Sequence, residues 1–355
     1  MVTSQKSSAY REVPSHHPLE FPAPCRADSA LSVGPFPLPM FNRVFLTVLA
    51  LCASALSAFA ADPIEIAVIP KGTTHVYWKS VEAGARQAGQ ELGVEIKWRG
   101  PLREDDRSQQ MSLVQQFVGS KVSAIVLAPL DATALVGPIR SATSNHIPVV
   151  VIDSGVNAEV GKDFVSLVAT DNVHGGELGG EELARLLNHK GKVALLRYAE
   201  GSRSTMDREE GFLNVIKKYP DMQVIVSNRY GGATASTAQD ASMNIIDRIQ
   251  EADGIFCPNE STTTGMLLAL RQNSLAGKKI FVGFDAAPAL LAALKKGEIQ
   301  ALVAQNPRQM GYIGVKIAVA AVRGEKTDTH VDTGCDVVTK ANLATPKIKA
   351  LLNGM

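Results

Sequence analysis

Several short apolar runs in this chain end abruptly in carboxylate or amide side chains. HIPVVVIDSG carries Asp153, AIVLAPLD carries Asp131, GIFCPNE carries Asn259 and Glu260, and IFVGFD carries Asp285. Carboxylates accept from paired hydroxyls and an amide both donates and accepts, so Asp153, Asn259 and Asp285 together suit a neutral polyhydroxylated ligand. The competing role for each is to cap the helix that follows, and capping is the role expected of Asp131, just ahead of ATALVGPIR. A second group, THVYWKS, brings His75, Tyr77 and Trp78 together. Aromatic rings at the mouth of a cleft stack on the apolar face of a sugar, and an imidazole supplies a hydrogen-bond partner. The alternative for Trp78 is a ring packed in the core. In GSRSTMDREEGF, Arg208 is either a ligand contact or half of a solvated ion pair within its helix.

Other chemistries find little footing. In DNVHGGELGG the glycines 175, 176, 179 and 180 do not make G-x-G-x-x-G, and no G-x-x-x-x-G-K-[ST] occurs, so the string is expected to serve close helix packing rather than a nucleotide. The scattered histidines, His174 among them, lack H-E-x-x-H or C-x-x-C spacing, and there is no G-x-S-x-G elbow. No metal, no cofactor and no enzymatic activity are expected. The 36 lysines and arginines against 35 acidic residues give a net charge of +1, which makes no electrostatic case for nucleic acid.

What must position the candidate residues is a series of strands and helices. The 355 residues, 45% hydrophobic and 20% charged, are enough for two domains. IEIAVI, VEIKW, AIVLAP, VVVID, FVSLVATD, VALLR, MQVIVS, ADGIFC, KIFVGF and ALVAQ read as strands, and helical patterns alternate with them. That alternation predicts an α/β protein with parallel, doubly wound sheets and right-handed crossovers, and ligands in such sheets bind outside the carboxyl ends of the strands. So many strands fit two lobes better than one. The expected divisions are residues 61–170 plus 306–332 for the first lobe and 171–305 plus 333–355 for the second, joined by three hinge crossings with the polar strand ends facing across a cleft.

Residues 1–39 are rich in proline and serine without a sustained period, and are expected to be disordered or a mispredicted extension. Met40 then opens MFNRVFLTVLALCASALSAFAADP, with Arg43, an apolar stretch from Val44 to Leu56 and Ala58-Phe59-Ala60. This is the layout of a secretory signal peptide over residues 40–60, which places the mature protein in the periplasm from about Ala61. A membrane anchor needs about 20 apolar residues, and this run is shorter and broken by serines. Leu51 ahead of Cys52 does not suit lipid attachment. With Cys25 and Cys52 in those segments, Cys257 and Cys335 remain, and both are expected to be buried free thiols.

The set PKGTTHVYWKSVEAGA, LAPLDATAL, IPVVVIDSG, ATDNVHGG, GSRSTMDREEGF, PNESTTTGM, VGFDAAP and VAQNPRQMGYIGVKIA resembles the periplasmic sugar-binding proteins of ABC importers, of the ribose-binding type. The resemblance spans nearly everything after the signal peptide and implies the type I periplasmic binding protein fold. It implies stacking by Tyr77 and Trp78, hydroxyl contacts by Asp153, Asn259 and Asp285, a contact by Arg208, and Gln305 at a hinge. Departures from the ribose binders fall at the ligand. Ser154 stands where they carry arginine, Ala128 and His75 where they carry asparagine, and the glycines of RYGGAT where they place an aromatic ring in the second lobe. A different, bulkier sugar or polyol is therefore implied, captured by a monomer and passed to a membrane ABC permease. An alternative is a sensory protein that reports occupancy to a membrane receptor or kinase.

Overall fold

The computed structural model describes residues 63–353, so the expected extension over 1–39 and signal peptide over 40–60 lie outside the described residues, as do Cys25 and Cys52. From there the apolar runs become strands: β1 (Glu65–Ile69), β2 (Glu95–Trp98), β3 (Ala124–Leu127), β4 (Val149–Ile152) and β5 (Ser166–Ala169) build one sheet. A second is built by β6 (Gly191–Arg197), β7 (Met222–Tyr230), β8 (Gly254–Phe256), β9 (Ile280–Phe284) and β10 (Ala301–Gln305). Late in the chain β11 (His330–Asp332) returns to the first sheet and β12 (Cys335–Thr339) joins the second. The orders β11-β5-β4-β3-β1-β2 and β12-β10-β9-β8-β6-β7 correspond position by position, so one winding is used twice.

The strands read as continuously apolar because both faces are covered. In the first sheet Ile66, Val68, Val126, Val150 and Ile152 pack with Val81, Ala85, Val315 and Val319. Those four lie on helices α1 (Val76–Leu92) and, near the chain end, residues 307–322. The alternate residues Ala67, Ile69, Ile125, Leu127, Val149 and Val151 pack with Val114, Phe117 and Ile139 on α2 (Arg107–Gly119) and α3 (Val136–Ser144). Residues of opposite parity along a strand thus serve two separate cores, as a period of two requires.

In the second lobe α4 (Asn172–Leu186) lies against α5 (Arg203–Ile216). The glycine string forms the inner face of α4, and its expected role in close packing is what the structure shows. A Cβ on Gly176 would lie 2.0 Å from the Arg208 carbonyl oxygen, and one on Gly211 would lie 2.1 Å from that of Val173. Beyond α5 come α6 (Ala235–Met243), α7 (Ile246–Glu251), α8 (Glu260–Gln272) and α9 (Pro288–Lys296) in the same lobe, then α10 (Pro307–Val322) in the first and α11 (Pro346–Asn353) back in the second.

The chain passes between the sheets at Ala169 to Asn172, at Gln305 to Pro307 and at Asp332 to Cys335. These crossings are laced together. Thr333 N donates to the Ala169 carbonyl at 3.0 Å, Asp171 N to Asp332 at 3.1 Å, and Thr170 Oγ1 to Gln305 Oε1 at 3.0 Å. One expectation needs correcting: the second sheet is not wholly parallel, because β12 runs antiparallel to β10, with Val303 opposite Val337. After the first two crossings a helix carries the chain away from the rim and a strand returns to it. After the third no helix intervenes, so β12 itself must run away from the rim. The two remaining thiols are unpaired, with Cys257 buried but Cys335 only half-buried at the start of this edge strand, so the expectation of two buried thiols holds for Cys257 alone.

Candidate functional site: a polar cavity walled by both sheets

The carboxyl ends of the two sets of strands face one cavity lined by residues of both lobes, where a doubly wound sheet is expected to bind its ligand. His75, Tyr77, Trp78 and Asp153 line it from the first lobe, and Arg208, Asn259, Asp285 and Gln305 from the second. Ser154 is the exception among the expected contacts. It is fully buried behind the wall, where its Oγ accepts from Ser204 N at 3.1 Å, so it joins the lobes instead of facing the cavity.

Asp153 and Asp285 occupy matching places, directly after β4 and β9. Both have positive φ, 64° and 67°, a conformation that aspartate tolerates better than most side chains. The backbone N–H of each donates to the neighbouring strand, Asp153 to Val168 at 3.0 Å and Asp285 to Val303 at 2.8 Å. Neither is a helix cap of the ordinary kind. Asn259 is one, accepting at Oδ1 from Thr262 N at 3.2 Å, whereas Asp131, expected to be one, accepts from Thr133 N and Ala134 N at 2.8 Å in the turn ahead of α3, whose N-cap is Leu135.

Arg208 is 2% exposed, which rules out the solvated ion pair. It donates to Asn172 Oδ1 at 2.8 Å, to the Pro258 carbonyl at 3.0 Å and to Gln305 Oε1 at 2.8 Å, and its guanidinium lies 4.0 Å from the centre of the Phe284 ring. Gln305 Nε2 donates in turn to Asp285 Oδ1 at 2.7 Å, and Asp285 Oδ2 accepts from Glu260 N at 2.8 Å. Burial raises the Asp285 carboxyl above its ordinary value, against the charge of Arg208 and the bonds from Gln305 and Glu260.

The cavity also holds Lys71, Glu104, Tyr198, Ser204, Thr205 and Glu260, which the pattern of strand ends did not single out as contacts. Lys71 Nζ lies 2.8 Å from Asp153 Oδ2 and donates to Ser204 Oγ at 2.9 Å, spanning the lobes. Asp153 Oδ1 accepts from the Tyr77 hydroxyl at 2.7 Å and Oδ2 pairs with Lys71 at 2.8 Å, so each oxygen has one partner and a second lone pair for a ligand hydroxyl. Tyr77 and Trp78 meet edge to face at 5.0 Å. Tyr198, at the end of β6, supplies the second-lobe aromatic ring whose loss the glycines of RYGGAT implied.

Glu104 accepts from His75 Nδ1 at 2.7 Å and from Trp78 Nε1 at 2.5 Å. Burial opposes a charged imidazole, but the charge and hydrogen bond of Glu104, helped by Glu260 and Asp285, lift His75 to about 9. Burial likewise opposes the Glu104 carboxylate, and His75, Lys71 and the Trp78 bond bring it down to about 2. Glu260 is pushed up by burial, although His75 and the backbone N–H groups of Tyr77 and Val76, which it caps from the opposite lobe, act the other way. Among the described residues no cluster of His, Cys, Asp and Glu is arranged to hold a metal ion. The arrangement recognises hydroxyls.

The sequence profile of the periplasmic binding protein domain matches residues 66–326. Among solved structures the chain is similar to a carbohydrate transporter solute binding protein from Agrobacterium radiobacter in complex with D-arabinose, at 36% identity and a TM-score of 0.79, covering 83% of this chain and 100% of that one. An ABC transporter solute binding protein from Agrobacterium vitis with bound D-fucose is 35% identical, with a TM-score of 0.78 and coverage of 81% and 99%. The D-allose-binding periplasmic protein of Escherichia coli (strain K12) is 28% identical over 275 residues, 76% of this chain and 88% of its own.

Proposed function

The chain belongs to the family of periplasmic binding protein domains, and from that premise we propose that it captures a neutral monosaccharide or polyol between its lobes and delivers it to the membrane permease of an ABC importer. The observation that carries this reading is the cavity itself, closed by polar and aromatic side chains from both sheets. Lys71 and His75 are ion-paired, with Asp153 and Glu104, and although Arg208 donates only to neutral acceptors, the four carboxylates of Glu104, Asp153, Glu260 and Asp285 that line the cavity disfavour an anionic ligand. Hydroxyl groups find the carboxylates of Asp153 and Asp285, whose oxygens keep a second lone pair, and rings to stack on at Tyr77 and Trp78. D-arabinose, D-fucose and D-allose, bound by the similar proteins, belong to this class.

A ligand touching both lobes favours the closed arrangement by its differential affinity, and the three laced crossings are where the lobes would hinge. Several hydrogen bonds of about 1 kcal/mol each, stronger where a charge takes part, support binding near the roughly −8 kcal/mol of a micromolar complex. The chain is a binding protein and no bond-making chemistry is assigned to it. Residues 40–60 would export it, and it would act as a monomer in the periplasm.

A thermal-shift screen against pentoses, hexoses, inositols and sugar acids tests this. A ligand at about 100 times its Kd stabilises by about 2.7 kcal/mol, so a neutral member of the panel is expected to raise Tm by several degrees. A shift produced only by the sugar acids contradicts the proposal.

A further inference from the structure

Three donors from two lobes converge on a single carboxylate. Glu104 lies in the turn between β2 and α2, and Gly72 makes room for it, since a Cβ there would sit 2.8 Å from the Glu104 Cγ. His75 and Trp78, which donate to Oε1, share the first lobe with Glu104. Tyr198, whose hydroxyl donates to Oε2 at 2.7 Å, comes from the second. Parting the lobes leaves the first two bonds intact and breaks the third.

We propose that Glu104 is a positioning residue that couples ligand capture to closure: it fixes the Trp78 ring and the His75 imidazole in the first lobe and engages Tyr198 only when the lobes meet. This rests on the capture reading above. In the open form Glu104 keeps a preformed half-site, and a sugar that stacks there gains the Tyr198 bond as the second lobe arrives. The Tyr198 bond therefore adds to ligand affinity beyond any contact that its ring, which also lines the cavity, makes with the ligand.

The charged groups facing His75 are Glu104, Glu260 and Asp285, and those facing Glu104 are His75 and Lys71, with Tyr198 on its other oxygen. Because the His75 value in the folded protein, about 9, is above its ordinary 6.5, its contribution is full below 6.5 and is lost as pH rises through 9. Glu104 is lowered from 4.5 to about 2, so its contribution is full above 4.5 and is lost as pH falls through 2.

The test uses the mature full chain with the Tyr198→Phe and Glu104→Gln variants, checked for folding by circular dichroism. Calorimetry with D-arabinose, D-fucose and D-allose runs from pH 6 to 10, and the His75 imidazole is titrated by NMR without sugar. Tyr198→Phe is expected to weaken binding roughly tenfold, the share of one hydrogen bond to a charged group, and to leave the imidazole titration of the sugar-free protein unmoved. Glu104→Gln is expected to weaken binding at least as much and to move the imidazole titration to lower pH, which a merely structural role would not do. Binding by Tyr198→Phe within twofold of the unmodified protein, or an imidazole titration unmoved by Glu104→Gln, overturns the inference. Should the unmodified protein bind none of the three sugars, it is the capture reading that loses support, and the imidazole titration still decides the role of Glu104.

Discussion

Replacing Asp285 with alanine is expected to weaken sugar binding by about 100-fold or more while leaving the protein folded. Asp285 stands at the end of a strand in the second lobe, 4% exposed, with Gln305 on one oxygen and the backbone of Glu260 on the other. Each hydrogen bond from a ligand hydroxyl to a carboxylate contributes about 1.5–3 kcal/mol, and each 1.4 kcal/mol is tenfold in affinity. Losing the Gln305 anchor as well frees the amide that ties the second lobe to Thr170 at the crossing. Stability changes less, because the fold does not favour this charge. Burial raises the Asp285 carboxyl, so ionising it costs more in the folded chain than in the unfolded one, and the substitution removes that cost. Calorimetry together with thermal unfolding separates the two effects. Unchanged affinity would remove Asp285 from the site, and unfolding at room temperature would make it a structural residue.

The second large effect is expected at Gly176, which touches no ligand. Alanine favours a helix interior by about 1 kcal/mol over glycine, so on propensity alone Gly176→Ala would stabilise α4. The Cβ, however, would lie 2.0 Å from the Arg208 carbonyl oxygen, and the atom it meets is main chain that cannot swing aside. Relief requires α5 to move, at the cost of overpacking, typically about 1–3 kcal/mol and here at the upper end. That shift carries Arg208 away from Asn172, the Pro258 carbonyl and Gln305, so stability and affinity fall together. Gly137→Ala, on α3 with nothing within 4 Å, is the control, expected to leave both unchanged or slightly improved. A Gly176→Ala protein as stable as the control would show that the two helices are not in backbone contact.

These two residues mark how far the sequence could be read. Asp285 was visible because a fully buried strand is apolar throughout, and its first polar residue falls at the rim where a doubly wound sheet binds ligands. Gln305 came from the resemblance and Arg208 had two readings from its helix alone, and the structure gives both a reason, since Arg208 bonds to Gln305 and to Asn172 at the crossings. Glu104 was hidden by its company. In REDD the four side chains look alike in sequence, yet Arg103 pairs with Asp105 at the surface, Asp106 caps α2, and only Glu104 turns inward. No local pattern marks Lys71, and Tyr198 lies one residue past a strand whose pattern was already explained. Contacts of this kind join residues about 90 to 130 positions apart, from Tyr198 to Glu104 and from Ser204 to Lys71, and no local period records them. Ser154 failed for the opposite reason. Its place next to Asp153 is right, but successive side chains at a strand end point to different sides, and its hydroxyl meets the backbone of Ser204 instead of the cavity. The antiparallel β12 follows from a crossing without a helix, which the sequence shows only once the route of the chain between the sheets is known.

A crystal structure of the mature chain grown with the neutral sugar that gives the largest thermal shift tests the central claim most directly. The account predicts one sugar ring per molecule in the cavity between the sheets, in contact with Tyr77 or Trp78 on one side and with Asp153, Arg208 and Asp285 around it. A sugar seated elsewhere, or a filled cavity in which only one lobe touches the ligand, would contradict it.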